Sequence, residues 1–302
     1  MKKYLILLAV ISVACNQNRV ENRNITDLSG EWTFATDSAD QGIAGRWFDS
    51  SFVETVRLPG SMAGNGKGFD VRLNTDWTGD IVDRSYFEDP SYAKYREPGN
   101  IKVPFWLQPV KYYKGAAWYN REVEVGKTAE GNRTFLRLER PHWMTTVYVN
   151  GDSIASANSL AVPHEFDITR ALKSGKNKIA VRVDNRVVIP IGVNSHSISD
   201  HTQGNWNGIA GRIELEEKSS VFIEEVTIAP NTAARKIRAE VRIKNLSGKD
   251  FSGKIVLKVL TSGNGRERTV GKAKVPIKSQ TERSAYFCDI ELAKDAEMWS
   301  EF

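Results

Sequence analysis

The chain has 302 residues, a formal net charge of +5 and 26% charged residues, with Lys and Arg interleaved among Asp and Glu. That length gives room for about two domains. No basic run of the kind that marks nucleic-acid binding occurs, so the charge reads as a solubility feature. Only Cys288 follows Cys15, which argues against an intramolecular disulfide and leaves stability to a buried core.

The N-terminus reads as a targeting segment. Lys2 and Lys3 form a basic region, Tyr4 to Ile11 an apolar run too short to span a bilayer, and Ser12-Val-Ala-Cys15 supplies small residues before a cysteine. The cysteine resembles that of a bacterial lipobox, which predicts a signal peptide over 1–15 and lipidation of Cys15. A cleavable secretory signal with an incidental cysteine is the alternative. Both export the protein. Residues 16–24 are polar and read as a tether.

Two β-rich regions follow, over 25–218 and 219–302. In the first, Leu28–Phe34, Ala117–Val125, Arg133–Leu138, Thr145–Val149, Lys178–Val183 and Gly208–Leu215 alternate apolar and polar residues and predict strands. Asn150-Gly151 tolerates positive φ at both positions and predicts a tight hairpin turn. Phe166–Leu172 reads as one short helical turn. Pro59 to Pro109 is long and irregular, rich in Gly, Pro, Asp and aromatics, and loops of that length are often functional. In the second region, Val221–Ile228, Lys236–Ile243, Lys254–Val259 and Ala285–Leu292 predict strands. Short strands with frequent turn signals and no long amphipathic pattern predict an all-β protein: a jelly-roll β-sandwich, then an immunoglobulin-like β-sandwich.

The candidate site residues lie on two polar, aromatic loops. Asp200-His-Thr-Gln-Gly-Asn-Trp-Asn207 carries donors and acceptors beside an indole, which suits a sugar with its hydroxyl rim and C–H faces. Asp200 and Asn205 are candidate partners for hydroxyls, since a carboxylate forms strong charge-assisted hydrogen bonds; Asp200 as a loop cap is the plainer role. Trp206 either stacks on a sugar or plugs its loop into the sheet. The second loop holds Asn74, Asp76 and Trp77, with turn formation as its alternative. Phe105-Trp-Leu-Gln-Pro109, Tyr112 and Tyr113 read as packing beneath the irregular stretch. Zinc-ligand spacing, a Gly-x-Ser-x-Gly elbow and a phosphate loop are all missing, so no metal or cofactor is expected.

Seven stretches, in order, resemble the N-terminal part of glycoside hydrolase family 2, the β-galactosidase and β-glucuronidase family. They are Leu28-Ser-Gly-Glu-Trp32, Leu58-Pro-Gly60, Ala117-Trp-Tyr-Asn-Arg121, Val147-Tyr-Val-Asn-Gly151, Phe166-Asp-Ile-Thr169, Asn177-Lys-Ile-Ala-Val181 and Gly208-Ile-Ala-Gly-Arg-Ile213. The resemblance implies a sugar-binding jelly roll that lends polar residues, Asp200 first among them, to a terminal sugar subsite. It also implies retaining hydrolysis by two carboxyls about 5 Å apart, carried in the family by a third, barrel domain. No Asn-Glu pair of the family's acid/base type occurs in this sequence. The expectation is therefore the non-catalytic front of a β-galactosidase-type enzyme, with a β-linked glycan as partner and the outer membrane as anchor surface. A stand-alone carbohydrate-binding lipoprotein and, more weakly, a structural adhesive sandwich are the alternatives.

Overall fold

The computed structural model describes residues 24–187, 189–192, 195–196, 198–263 and 266–296. Eighteen strands follow in chain order: β1 (Asn24–Asp27), β2 (Gly30–Asp37), β3 (Glu54–Leu58), β4 (Gly60–Ser61), β5 (Phe69–Asp70), β6 (Lys111–Tyr112), β7 (Ala116–Val125), β8 (Asn132–His142), β9 (Met144–Val149), β10 (Asp152–Ala157), β11 (His164–Asp167), β12 (Gly175–Asp184), β13 (Gly208–Ser219), β14 (Val221–Asn231), β15 (Lys236–Asn245), β16 (Phe251–Gly263), β17 (Arg266–Ser279) and β18 (Arg283–Glu291). Cys15 and the rest of the targeting segment lie outside the described residues. Asn24, read as tether, is the first residue of β1 and pairs with Glu217.

Two antiparallel sheets form the first sandwich. One runs β1-β13-β8-β11, with β4 also on β13; the other runs β10-β9-β12-β7-β2-β3. Alternation dictates the core. Along β12, Ile179, Val181 and Val183 point inward and meet Leu136, Leu138, Ile209, Ile213 and Leu215 from the facing sheet. Ala180 points the other way and is buried too, against Phe48, Trp118 and Tyr148. The excursion between β2 and β3 folds over that outer face: Phe48 stacks on Tyr148 at 4.3 Å, and Trp118 Nε1 donates to Asp37 Oδ2 at 3.0 Å. The sheet is thus covered on both sides where β7, β9 and β12 run together.

The hairpin signal is realised, with φ of 53° at Asn150 and 90° at Gly151. The predicted helical turn is half wrong. Phe166 and Asp167 pair with β8 as β11, and only Ile168–Leu172 turns, with Leu172 N–H donating to Ile168 O at 3.2 Å. Phe166 is needed in the core, and an extended backbone puts it there.

The second sandwich sets β14-β15-β18 against the hairpin β16-β17. Its core is small: Ala239, Val241, Ile243, Ile255, Ile277 and Cys288 are buried together. β17, absent from the sequence expectations, is Arg266–Ser279, where Gly271, Pro276 and three lysines dilute the apolar alternation. The two sandwiches meet where Phe135 contacts Phe222 edge-on at 5.8 Å, with the Lys218 ammonium over both rings.

Candidate functional site

Asp200 organises the site. It is almost fully buried, and its carboxylate oxygens accept from four donors. Oδ2 takes the N–H groups of Thr78 (2.6 Å) and Gly79 (3.1 Å) and the Tyr112 hydroxyl (3.3 Å); Oδ1 takes the N–H of Asn205 (3.1 Å). One carboxylate therefore ties together two loops 121 residues apart in sequence. Charge-assisted bonds to backbone N–H groups are among the stronger ties available to a loop. Burial, aided by the Asp200 charge, pushes the Tyr112 hydroxyl well above its ordinary range, so it stays protonated as a donor.

Close approach fixes residue type. A Cβ on Gly79 would stand 2.9 Å from both His201 Cδ2 and Ser199 Oγ. At the start of β13, Gly208 has φ of 142° and its Cβ would lie 2.4 Å from Gly60 O, so only glycine admits this crossing.

Three asparagines bolt the loop to the strand ends. Asn205 Nδ2 donates to Thr78 Oγ1 (2.7 Å) and Asn185 O (2.9 Å). Asn207 Nδ2 donates to Gly115 O and Val183 O, while its Oδ1 accepts from the Tyr119 hydroxyl at 2.7 Å. Asn185 Oδ1 accepts from Gly115 N–H at 2.8 Å. Asn205 keeps one buried atom, Oδ1, with no hydrogen-bond partner among the described residues, and Trp77 Nε1 is in the same state.

The six candidates divide between two depressions. Trp77, Asp200, Asn205 and Trp206 line one pocket of about 240 Å³, together with Phe105, Leu107, Gln108 and Tyr112. Trp77 packs edge-on to Phe105 at 5.3 Å, and Trp206 stacks on His142 at 4.9 Å, with its carbonyl accepting from His142 Nδ1. Asn74 and Asp76 line a larger groove of about 580 Å³ on the far side of Tyr112, where exposed Asp76 pairs with Lys114 at 2.6 Å. Tyr112 and Lys111 border both. Sequence reasoning missed Thr78 and Asn185 and took Tyr112 for packing alone. The available signal was Asp184-Asn185, where the alternation of β12 stops on two polar residues. Trp106 also departs from the packing expectation: Phe105, Tyr112 and Tyr113 are buried, but Trp106 is 89% exposed. A staple from Gln108 to Val103 and Phe105 sets the turn that turns it outward.

The sequence and fold find consistent relatives. The family model described as "Glycosyl hydrolases family 2, sugar binding domain" matches residues 25–218. The chain is 23% identical over 266 residues to a beta-glucuronidase of Paenibacillus borealis, covering 83% of this chain and 38% of that protein. It is 29% identical over 200 residues to a beta-galactosidase of Thermoanaerobacter pseudethanolicus, covering 63% and 26%. It therefore spans less than two-fifths of these relatives' length. Among solved structures, a putative beta-galactosidase from Bacteroides fragilis superposes with a TM-score of 0.62 at 20% identity, over 90% of this chain and 36% of the other. A family 2 beta-glucuronidase superposes at 0.63 and 17% identity, over 92% and 27%. These structural likenesses carry the fold alone. With the family model matching across the whole first sandwich, the chain belongs to glycosyl hydrolases family 2, through that family's sugar binding domain.

Proposed function

We propose that the jelly roll binds the terminal unit of a β-linked glycan in the pocket between the Trp77 and Trp206 loops. The observation that carries this reading is the joining of two polar, aromatic loops into one pocket by Asp200. Indole faces suit the C–H faces of a sugar ring, and Asn205 Oδ1 suits a hydroxyl. An unpaired buried acceptor costs about 1–3 kcal/mol, which a bound hydroxyl would recover. Asp200 then acts by holding the pocket's walls in place, since its oxygens already serve four donors. The names of the relatives, beta-glucuronidases and beta-galactosidases, support a glycosidase as the parent activity.

This chain alone is expected to turn over no glycoside. Retaining hydrolysis needs two carboxyls about 5 Å apart, and the pocket is lined by one, Asp200. Binding should be weak, because a pocket of about 240 Å³ falls below the roughly 300–1,000 Å³ usual for ligand sites. NMR titration with methyl β-galactoside and methyl β-glucuronide tests the reading. Shifts at Asn205 and Trp77 with a millimolar Kd, abolished by Asn205→Ala, are expected. A folded protein with no shift at either residue for both sugars would sink it, and release of nitrophenol from a β-glycoside would refute the inactivity.

Export and lipid anchoring through Cys15 belong to the same proposal and rest on the basic, apolar and small-residue order of residues 2–15. Labelled palmitate incorporated in the native chain and lost in Cys15→Ser is the expected result; equal labelling of both would overturn it.

A further inference from the structure

Beyond its aromatic cover, the outer face of the six-stranded sheet opens into a polar groove. Alternation along β7 puts Asn120 and Glu122 on the same face as Trp118, which packs against Phe48. Thr33 of β2 lies directly opposite Asn120, and Lys178 of β12 directly opposite Glu122. Glu31, two residues before Thr33, shares this face, and the register carries it to a place beside Glu122. These side chains, with Ser51 and Arg121, line a groove of about 450 Å³. Asn120 stands about 17 Å along the strand from Gly115, the end to which Asn207 bonds, so the groove is separate from the pocket around Asp200.

Asn120 is 1% exposed, and two bonds fix its amide. Nδ2 donates to Trp47 O and to Ser50 O, both at 2.9 Å. The other arm, Oδ1, turns away from those carbonyls and has no hydrogen-bond partner among the described residues. A buried acceptor left without a donor costs stability, so the site calls for a donor from outside. Glu31 and Glu122 are exposed and make no hydrogen bond or ion pair among the described residues either. The cations nearby are already engaged. Lys178, the cross-strand partner of Glu122, donates to Asp49 O (2.8 Å) and Ser50 O (2.6 Å), and Arg121 donates to Leu28 O and Ser29 O. Arg57, opposite Glu31 on β3, makes no ion pair with it. Three acceptors therefore stand open in one groove.

We propose that this groove is a second carbohydrate site, which takes a neutral, hydroxyl-rich sugar unit. Charge selects the class. Two carboxylates beside Lys178 and Arg121 leave no net negative charge to hold a metal ion. Both cations already serve carbonyls, so an anionic sugar finds no free donor. Neighbouring sugar hydroxyls donate in pairs to a carboxylate, and such charge-assisted bonds are the stronger kind. Another hydroxyl supplies the donor that Asn120 Oδ1 lacks. The groove falls within the roughly 300–1,000 Å³ usual for ligand sites. Its rim at Trp47–Ser50 is pinned in advance by Asn120 and Lys178, which lowers the ordering cost of binding. No aromatic ring lines it, so recognition rests on hydroxyls and the affinity is low.

The test is NMR titration of the full chain with β-1,4-galactotetraose and with cellotetraose. Shifts at Glu31, Thr33 and the Asn120 side-chain amide, with a millimolar Kd, are expected for at least one of them. Glu31→Ala combined with Glu122→Ala, both at exposed positions, should keep the native circular dichroism and raise that Kd by about tenfold or more. A β-1,4-linked glucuronate tetramer, which is cellotetraose with carboxylates at C6, should bind about threefold or more weakly than the neutral sugar. No shift at these three residues with either neutral sugar would overturn the proposal. Shifts confined to Trp77 and Asn205 would overturn it too, while sparing the pocket around Asp200. An unchanged Kd in the double variant, or equal binding of the glucuronate tetramer, would count against it in the same way. Shifts at Glu31 and Asn120 with calcium chloride alone, and none with sugar, would show a cation site instead.

Discussion

The two sandwiches use strands of the same alternating kind and end up covered to different degrees. In the jelly roll, the excursion between β2 and β3 returns over the outer face of its sheet, and Trp118 and Ala180 become as buried as the core itself. The excursion from 59 to 115 supplies one wall of the pocket around Asp200. In the second sandwich the links are tight and cover nothing, so Val226 and Ile228 stay bare on a face that should be core. Strand pattern decides which side chains point inward. The length of the connections decides whether anything meets them, and where a site can form.

The largest effect expected from this difference is separable unfolding. Leu138 is fully buried in the large core, and Leu138→Ala should remove about 3–4 kcal/mol from the main transition. Ile243→Ala, in the small core, should cost about 2–3 kcal/mol and act on an earlier transition that exposes residues 221–291 to protease. Calorimetry with limited proteolysis checks this. If both variants lower one shared transition, the contact of Phe135, Phe222 and Lys218 fuses the sandwiches into one unit.

Asp200→Ala comes next. It leaves the buried N–H groups of Gly79 and Asn205 without their acceptor and Thr78 N–H with the Tyr112 hydroxyl alone, at about 3 kcal/mol in chemical denaturation. Asp250→Ala, at an exposed loop position between β15 and β16, should stay within about 0.5 kcal/mol. Equal costs would mean that the jelly-roll loop is as loosely held as that short link.

The strands were legible because side-chain period shows directly in sequence: β7, β12 and β13 lie within a few residues of their expected positions, and so does the Asn150-Gly151 turn. The site was legible by composition and not by partnership. Asp200, Asn205, Trp206 and Trp77 come together, yet nothing local says that Asp200 accepts from Thr78 and Gly79 at the far end of the irregular stretch. Asn74 and Asp76, only one to three residues from Trp77, face a different groove, because an irregular backbone has no period to assign their faces. Trp106 escaped for the same reason.

A pH effect should distinguish the sandwiches more gently. His164, at the edge of the jelly roll, is bonded at both nitrogens, to Thr145 Oγ1 (2.7 Å) and Ser159 O (2.8 Å), and burial holds its pKa below the ordinary 6.5. The unfolded chain then takes up the proton first. Stability from the neutral ring is complete above 6.5 and declines as pH falls through 6.5 toward the depressed folded value. Denaturation midpoints of the jelly-roll transition should drop between pH 7.5 and 5, and His164→Gln should flatten that slope while lowering the midpoint overall. No described histidine lies in the second sandwich, so its transition should show no such step. An unchanged slope in His164→Gln would assign the drop to another group.

The smallest effect concerns surface charge, where the regions also part. On the jelly roll, Arg137 of β8 sits between Glu165 of β11 and Glu214 of β13, so these neighbouring strands meet with opposite signs, and Lys218 lies near Glu165 and Glu216. On the hairpin, Lys258 faces Lys272 across the β16–β17 ladder. Like charges directly opposite destabilise a strand pair, and opposite charges add about 0.2–1 kcal/mol. Lys258→Glu should therefore raise the stability of the second sandwich by about 0.5 kcal/mol at low salt, with the gain fading as ionic strength rises. No gain at low salt, or a gain that ionic strength leaves unchanged, would show that the Lys258–Lys272 pairing does not cost the hairpin stability.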